Sequence, residues 1–172
     1  YNTNHYNKNI YDIFYSPKYI SKINNHCQKT LYKSTFPIEH RNYPTGSKGM
    51  KWHRDLLMYN LPQYEAVFTM NNTSDSVTEW IHDGYKKSQF TEPNSLLLVK
   101  AGGDYHSVAT HIGSDRRVGH WGLRVPNVDG GRGEDNEAAN ASLKGLIKAE
   151  DRLTLLAEVD KINETYLNRE KV

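Results

Sequence analysis

Cysteine is all but missing from this chain of 172 residues: Cys27 stands alone. A single thiol excludes an internal disulfide framework and a cysteine-based zinc site. Long apolar runs are missing too. None approaches the roughly 18–20 residues that a membrane-spanning helix requires, and no basic-then-apolar leader is visible. There is no long block of one charge sign: 22 Lys and Arg face 20 Asp and Glu, for a formal net charge of +2. That balance calls for neither nucleic acid nor an anionic membrane as a partner. The chain opens at Tyr1 and not at Met, so a fragment or processed product is expected, with the cytoplasm as its compartment.

What is abundant is Asn, Tyr and Lys, as in "YNTNHYNKNIYDIFY", a bias that reads as an AT-rich coding sequence and says little about chemistry. Residues 16–33 read as a helix. Ser16 suits the N-cap, Pro17 suits the first helical position, and Ile20, Ile23, Cys27 and Leu31 form a stripe. Short apolar or alternating runs follow ("KWHRDLLMY", "YEAVFTMN", "SLLLVKA", "YHSVATHI", "RRVGHWGLRV"), divided by turn-rich pieces. Strands at this spacing predict a sandwich or small barrel. After the linker-like "VPNVDGGRGEDNE", residues 137–169 place Leu143, Leu146, Leu153, Leu156, Val159, Ile162 and Tyr166 roughly on one face. This predicts one long amphipathic helix or two, packed on the β core or serving self-association or docking to a larger assembly. The expected layout is a β domain with an N-terminal helix over residues 1–128, a linker over 129–136 and a helical extension over 137–172.

The residues that carry chemistry begin at "RNYPTGSKGMKWHRDLLMY". In a strand, side chains at i and i+2 share a face, so His53 and Asp55 could reach one cation while Trp52 and Arg54 face away. By itself such a pair is most often a surface feature. His106, in "GGDYHSVATHIGSDRR", supplies a third ligand; His82, His111 and His120 are the competitors. Two imidazoles and one carboxylate with positions left open form the facial triad of non-haem Fe(II) oxygenases. The "GSKG" turn lacks the ending of a phosphate-binding loop and is read as a tight turn.

His-x-Asp, a second His about fifty residues on and an Arg ten residues later resemble the 2-oxoglutarate-dependent Fe(II) dioxygenases; the residues here are His53, Asp55, His106 and Arg116. "YPTGSKGMKWHRD" is similar to the Tyr-Pro-to-His-x-Asp segment of prolyl 4-hydroxylase-type members, with Tyr43 in the place of a tyrosine that helps hold 2-oxoglutarate. "YEAVFTMNNTS" is similar to the next core strand, and "EPNSLLLVKAGGDYHSV" to the segment that ends in His-x-Val. The likeness covers about residues 36–125. Two places depart from the pattern: Asn94 stands where a turn glycine is common, and the usual Gly-Gly-x-Thr appears only as "DSVTEW".

The resemblance implies a mainly β (α+β) fold with flanking helices around a double-stranded β-helix, a jelly-roll or cupin-like core. It also implies Fe(II), 2-oxoglutarate as co-substrate and O2. The distal carboxylate of 2-oxoglutarate needs a cation in an apolar cavity, and a guanidinium matches it in bidentate fashion. Arg116 has the family offset and the parity of His106, and is favoured over Arg117; Tyr43 could donate to the same carboxylate. The implied activity is hydroxylation with release of succinate and CO2. The first expected substrate is a prolyl residue of a peptide or protein, with small molecules such as free amino acids as others. Two rivals stand beside it: a binding or structural module on the same scaffold that docks through its C-terminal helix, and a cupin-like metalloprotein that does not use 2-oxoglutarate.

Overall fold

The computed structural model describes residues 7–35, 38–43, 46–59, 63–109, 119–126 and 142–169. It is a mixed helix-and-strand fold with two antiparallel sheets and three helices. Helix α2 (Pro17–Cys27) starts where the capping signals put it: the Ser16 hydroxyl accepts from the Tyr19 amide at 3.4 Å, with Pro17 in the first turn. It ends on Gln28 in the left-handed region, φ 53°. The Asn-rich start, read above as compositional bias, carries a further helix, α1 (Lys8–Phe14). Its N-cap is Asn7, which accepts from the Ile10 amide at 3.2 Å, and Ile10, Tyr11 and Phe14 are buried.

The strands are β1 (Glu39–Asn42), β2 (Met50–His53), β3 (Gln63–Thr69), β4 (Val77–His82), β5 (Tyr85–Phe90), β6 (Ser95–Lys100), β7 (Tyr105–Val108), β8 (Gly119–Pro126) and β9 (Ser142–Lys144). They form a five-stranded sheet in the order β1-β8-β3-β6-β9 and a four-stranded sheet in the order β2-β7-β4-β5. The pattern of β3 and β6 explains how the layers stack. Tyr64, Ala66, Phe68, Leu96 and Leu98 point from one face of the large sheet into a core shared with Ile10, Phe14, Tyr19, Ile23 and Leu155 of the helices. Glu65, Val67, Leu97 and Val99, one residue out of phase, line a cavity on the opposite face, closed on its far side by Met50, Thr78, His106 and Val108 of the small sheet. "SLLLV" is therefore apolar without alternation because both of its faces are covered.

The C-terminal region departs from its reading in two respects. Helix α3 (Ala149–Arg169) begins twelve residues later than 137. Ser142–Lys144 instead form β9, which pairs with β6 and covers the edge of the large sheet. The predicted stripe holds at Leu146 and Val159, which are buried, and at Leu156, which packs against the core; it fails at Leu153, 69% exposed, while Leu155 is buried at 0%. The proposed linker 129–136 lies outside the described residues, as do the side chains of Leu143, Ile162 and Tyr166.

Helix α3 is tied to the rest by polar contacts as well. Asn7, Asn9 and Lys161 all donate to Glu158; the bond from Asn7 weighs most, and together they pull that carboxyl down to about 2. Asn94, the residue standing where a turn glycine is common, is in the left-handed region at φ 60°, which Asn tolerates better than most residues. Its side chain does what glycine could not. Oδ1 accepts from the Ile147 amide at 3.0 Å and Nδ2 donates to the Ile147 carbonyl at 2.9 Å, stapling the approach to α3 onto the β5–β6 turn.

Two outcomes are expected in chemical denaturation. Leu155→Ala should lower stability by about 2–5 kcal/mol and Leu153→Ala by less than about 0.5 kcal/mol; equal losses would put α3 outside the core. Asn94→Gly should be destabilising by roughly 1–3 kcal/mol although glycine suits the turn, because two buried backbone groups lose their partner. A neutral or stabilising Asn94→Gly would mean that the staple contributes nothing.

Candidate metal centre

The two imidazoles come from neighbouring strands. His53 ends β2, and in the β2–β7 ladder it lies directly opposite His106. The register between these strands shifts between Met50 and His53, so three residues of β2 span two of β7. That bulge lets both Met50 and His53 face the cavity, which strict alternation would forbid. Trp52 turns to the other side and stacks on Tyr105, ring centroids 5.7 Å apart, in keeping with the predicted split of faces. Gly49, just before the strand, is needed for the close approach: a Cβ there would lie 2.2 Å from the Val108 carbonyl oxygen, and its φ is +66°.

Asp55 does not continue the strand. The chain leaves β2 after His53, and the carboxylate is brought back by the loop, whose Asp55 carbonyl accepts from the Gly102 amide at 3.1 Å. The i, i+2 argument assumed a strand through Asp55; β2 ends at His53 and a loop carries Asp55. His53, Asp55 and His106 converge, with one donor atom of each within 4.8 Å of the others. Asp55 Oδ1 lies 3.6 Å from His53 Nε2, and Oδ2 lies 3.5 Å from His106 Nε2. All three side chains are shielded, most of all Asp55 at 10% exposure.

The protonation of the rings follows from their outer contacts. His53 Nδ1 is 2.8 Å from the Lys51 carbonyl oxygen and His106 Nδ1 is 3.1 Å from that of Asp104. A carbonyl only accepts, so each Nδ1 carries the proton and donates it. In the neutral ring each Nε2 then presents a lone pair. Two nitrogen lone pairs and a carboxylate face one point, at separations longer than an N–H···O hydrogen bond. Acceptors without a donor repel, and a shared cation removes that repulsion. Ligands about 2.1 Å from a common ion lie at most about 4.2 Å apart, and both N···O separations are within that limit. The donor set suits a divalent first-row metal with imidazole and carboxylate preference.

The triad opens into a cavity of about 440 Å³, mouth included, lined also by Arg41, Tyr43, Glu65 and the apolar Val67, Leu97, Val99 and Val108. Tyr43, expected to help hold a co-substrate, does line this cavity and is 9% exposed. Arg116 and Arg117 lie outside the described residues, as does the competitor His111. His82 is elsewhere, bound through Nδ1 to Asp104 at 2.9 Å.

Arg41 and Glu65 escaped the sequence reading. Arg41 donates to Glu39 at 2.7 Å and touches the Met50 sulfur at 3.8 Å. Burial works against its charge, but the bond to Glu39 and the nearby Glu65 carboxylate outweigh it and raise its pKa. Glu65 sits in a strand that reads as apolar, "YEAVFTM", and no local signal marks it as cavity-facing beyond its parity with Val67. Trp80, opposite His106 on β4, is buried with its indole N–H unpartnered among the described residues. Past Asp55 the rim is apolar and open: Leu56 is 74% and Leu57 63% exposed.

Against known proteins the chain stands apart: no family model, no curated protein and no solved structure matches it.

Added Mn(II) or Co(II) should raise the melting temperature of the wild type, by the equivalent of about 2.7 kcal/mol at a hundredfold excess over Kd, and should leave Asp55→Asn unmoved. In metal-free buffer Asp55→Asn should be the more stable protein, by roughly 0.5–1.5 kcal/mol, since its amide can donate to an Nε2. An Asn variant that is less stable than the metal-free wild type would mean that no such repulsion exists.

Proposed function

We propose that the protein is an Fe(II)- and 2-oxoglutarate-dependent dioxygenase that hydroxylates a prolyl residue of a peptide or protein. The observation that carries this reading is the convergence of His53 Nε2, His106 Nε2 and the Asp55 carboxylate at the wall of a cavity. The strand orders β1-β8-β3-β6 and β2-β7-β4-β5 support reading the core as a double-stranded β-helix, two four-stranded sheets wound as Greek keys. His53, Asp55 and His106 would hold the iron. When bound, iron with 2-oxoglutarate and O2 supplies an oxidative decarboxylation: one oxygen atom goes into succinate, CO2 leaves, and the other becomes the hydroxyl of the product.

The remaining work belongs to the chain. The Nδ1 bonds to Lys51 and Asp104 keep both rings turned with Nε2 inward, so the ligand set is oriented before anything binds. Val67, Leu97, Val99 and Val108 keep water from the cavity wall, where stray solvent would quench an oxidising centre. Tyr43 offers a phenolic O–H to the co-substrate's distal carboxylate, and Arg116, by its offset from His106, a guanidinium. Leu56, Leu57 and Met58 form an exposed apolar rim directly after Asp55, which favours a polypeptide with an apolar neighbour over a free amino acid.

Succinate release from 2-oxoglutarate under Fe(II) tests the class. The wild type should form succinate, and His53→Ala, Asp55→Ala and His106→Ala should fall to background. Arg116→Ala should bind metal normally while its KM for 2-oxoglutarate rises about 10- to 150-fold, the loss of one charge-assisted contact of roughly 1.5–3 kcal/mol. Equal succinate from all five proteins rejects the reading. Leu56→Asp with Leu57→Asp should leave substrate-free succinate formation unchanged and reduce the +16 Da product on proline-containing peptides; equal product would remove the rim from substrate binding.

A further inference from the structure

Gln63 opens β3 and is completely buried, at 0% exposure. A carboxamide in that position must satisfy both ends, and every contact it makes is to backbone on the far side of Asp55. Its Oε1 accepts from the Met58 amide at 2.7 Å and from the Tyr59 amide at 3.1 Å, and its Nε2 donates to the Leu56 carbonyl at 3.0 Å. Its own backbone carbonyl accepts from the Ala101 amide at 3.0 Å. The next residue, Gly102, donates to the Asp55 carbonyl at 3.1 Å. One residue therefore joins three pieces: its side chain grips the loop that carries Asp55, and its backbone, at the start of a central strand, holds the turn that leads into β7 and His106.

The three groups gripped by Gln63 belong to a loop whose far end is held by Tyr59, its hydroxyl accepting from the Thr35 amide at 3.0 Å and meeting the Ser34 hydroxyl at 2.7 Å. Leu56 and Leu57 face solvent, so hydrophobic burial does not hold this segment in place. Next to Asp55 its shape depends on hydrogen bonds, and three of these converge on one amide. Resting on the reading of His53, Asp55 and His106 as a metal centre, we propose that Gln63 is the positioning residue of that centre, locking the Asp55 arm in register with the His106 arm. The two imidazoles need no such help, because they stand opposite each other on paired strands. Asp55, carried by a loop, has the freedom that the latch removes.

The chemistry singles out the amide. Glutamate would keep two acceptor bonds but set an anion against the Leu56 carbonyl, and methionine, of similar shape, would make none of the three. The experiment is Co(II) titration of the full chain, following affinity and the visible absorption bands that report ligand number and geometry, alongside denaturation. Leu155→Ala is the control for lost stability without a change at the centre. Gln63→Met should bind Co(II) about 10- to 100-fold more weakly than the wild type, the range found when supports of metal ligands are removed, with altered band shape. Gln63→Glu should lie between the two, and Leu155→Ala should bind with wild-type affinity and spectrum. Wild-type affinity and bands in Gln63→Met, or in Gln63→Glu should the methionine variant not fold, overturn the latch and leave the metal centre standing. A wild type that binds no Co(II) overturns the centre and the latch with it.

Discussion

Three acceptors pointed at one place is an arrangement that a folded chain avoids unless something positive is shared between them. In the described structure that place is bounded by His53 Nε2, His106 Nε2 and both oxygens of Asp55, and the nearest N···O separations, 3.5 and 3.6 Å, leave no ordinary hydrogen bond to relieve it. The rings cannot escape by changing tautomer, because each Nδ1 is committed to a backbone carbonyl. The main apolar core lies on the other face of the large sheet. There Phe68, Leu96 and Leu98 pack against Phe14, Tyr19 and Leu155 with almost no exposure. The candidate metal centre and the main core thus occupy opposite faces of the same strands.

That division explains why β3 and β6 look as they do. Each must be apolar toward the helices, and each can vary toward the cavity, where β6 places Leu97 and Val99 and β3 places Val67 and Glu65. Among the described residues the small sheet has no helix layer. Its outer face keeps Trp52 stacked on Tyr105, with the Lys86 ammonium 5.8 Å from the Trp52 ring. Its inner face is the one that carries His106 and Val108.

Much of this was legible in the residues themselves, and the failures are instructive. His53, Asp55 and His106 could be named because spacing and residue type are both unusual for a core. Ser16 and Pro17 marked the start of α2 because capping is a local interaction. In α3 one position is misplaced, because leucines at 153, 155 and 156 permit more than one stripe and only the position of the partner surface selects Leu155 over Leu153. The short β9 was invisible: three residues with no turn signature acquire a strand conformation from the edge of β6 and from nothing in their own sequence. Arg41, Glu65 and Gln63 were missed for a related reason. Each is a polar residue in a strand, and whether such a residue faces water, a cavity or a loop backbone is decided by tertiary neighbours far off in the chain.

The charges of the cavity give the co-substrate reading its sharpest constraint. Among the described lining residues Asp55 and Glu65 are acidic and Arg41 is basic, and Arg41 is already engaged by Glu39 and lies in the field of Glu65. A divalent ion on the triad offsets the excess of negative charge and little more. A dicarboxylate entering such a space would bring two further charges into apolar surroundings, at a cost of several kcal/mol for each left uncompensated. Metal coordination can absorb one of them. The second requires a cation beyond those the described wall has to spare, and the phenol of Tyr43 supplies a hydrogen bond but no charge. If 2-oxoglutarate is the co-substrate, as proposed, its distal carboxylate calls for a cation besides Arg41, the part proposed for the guanidinium of Arg116 or of its neighbour Arg117. A cavity completed without either of them would favour a co-substrate bearing a single carboxylate.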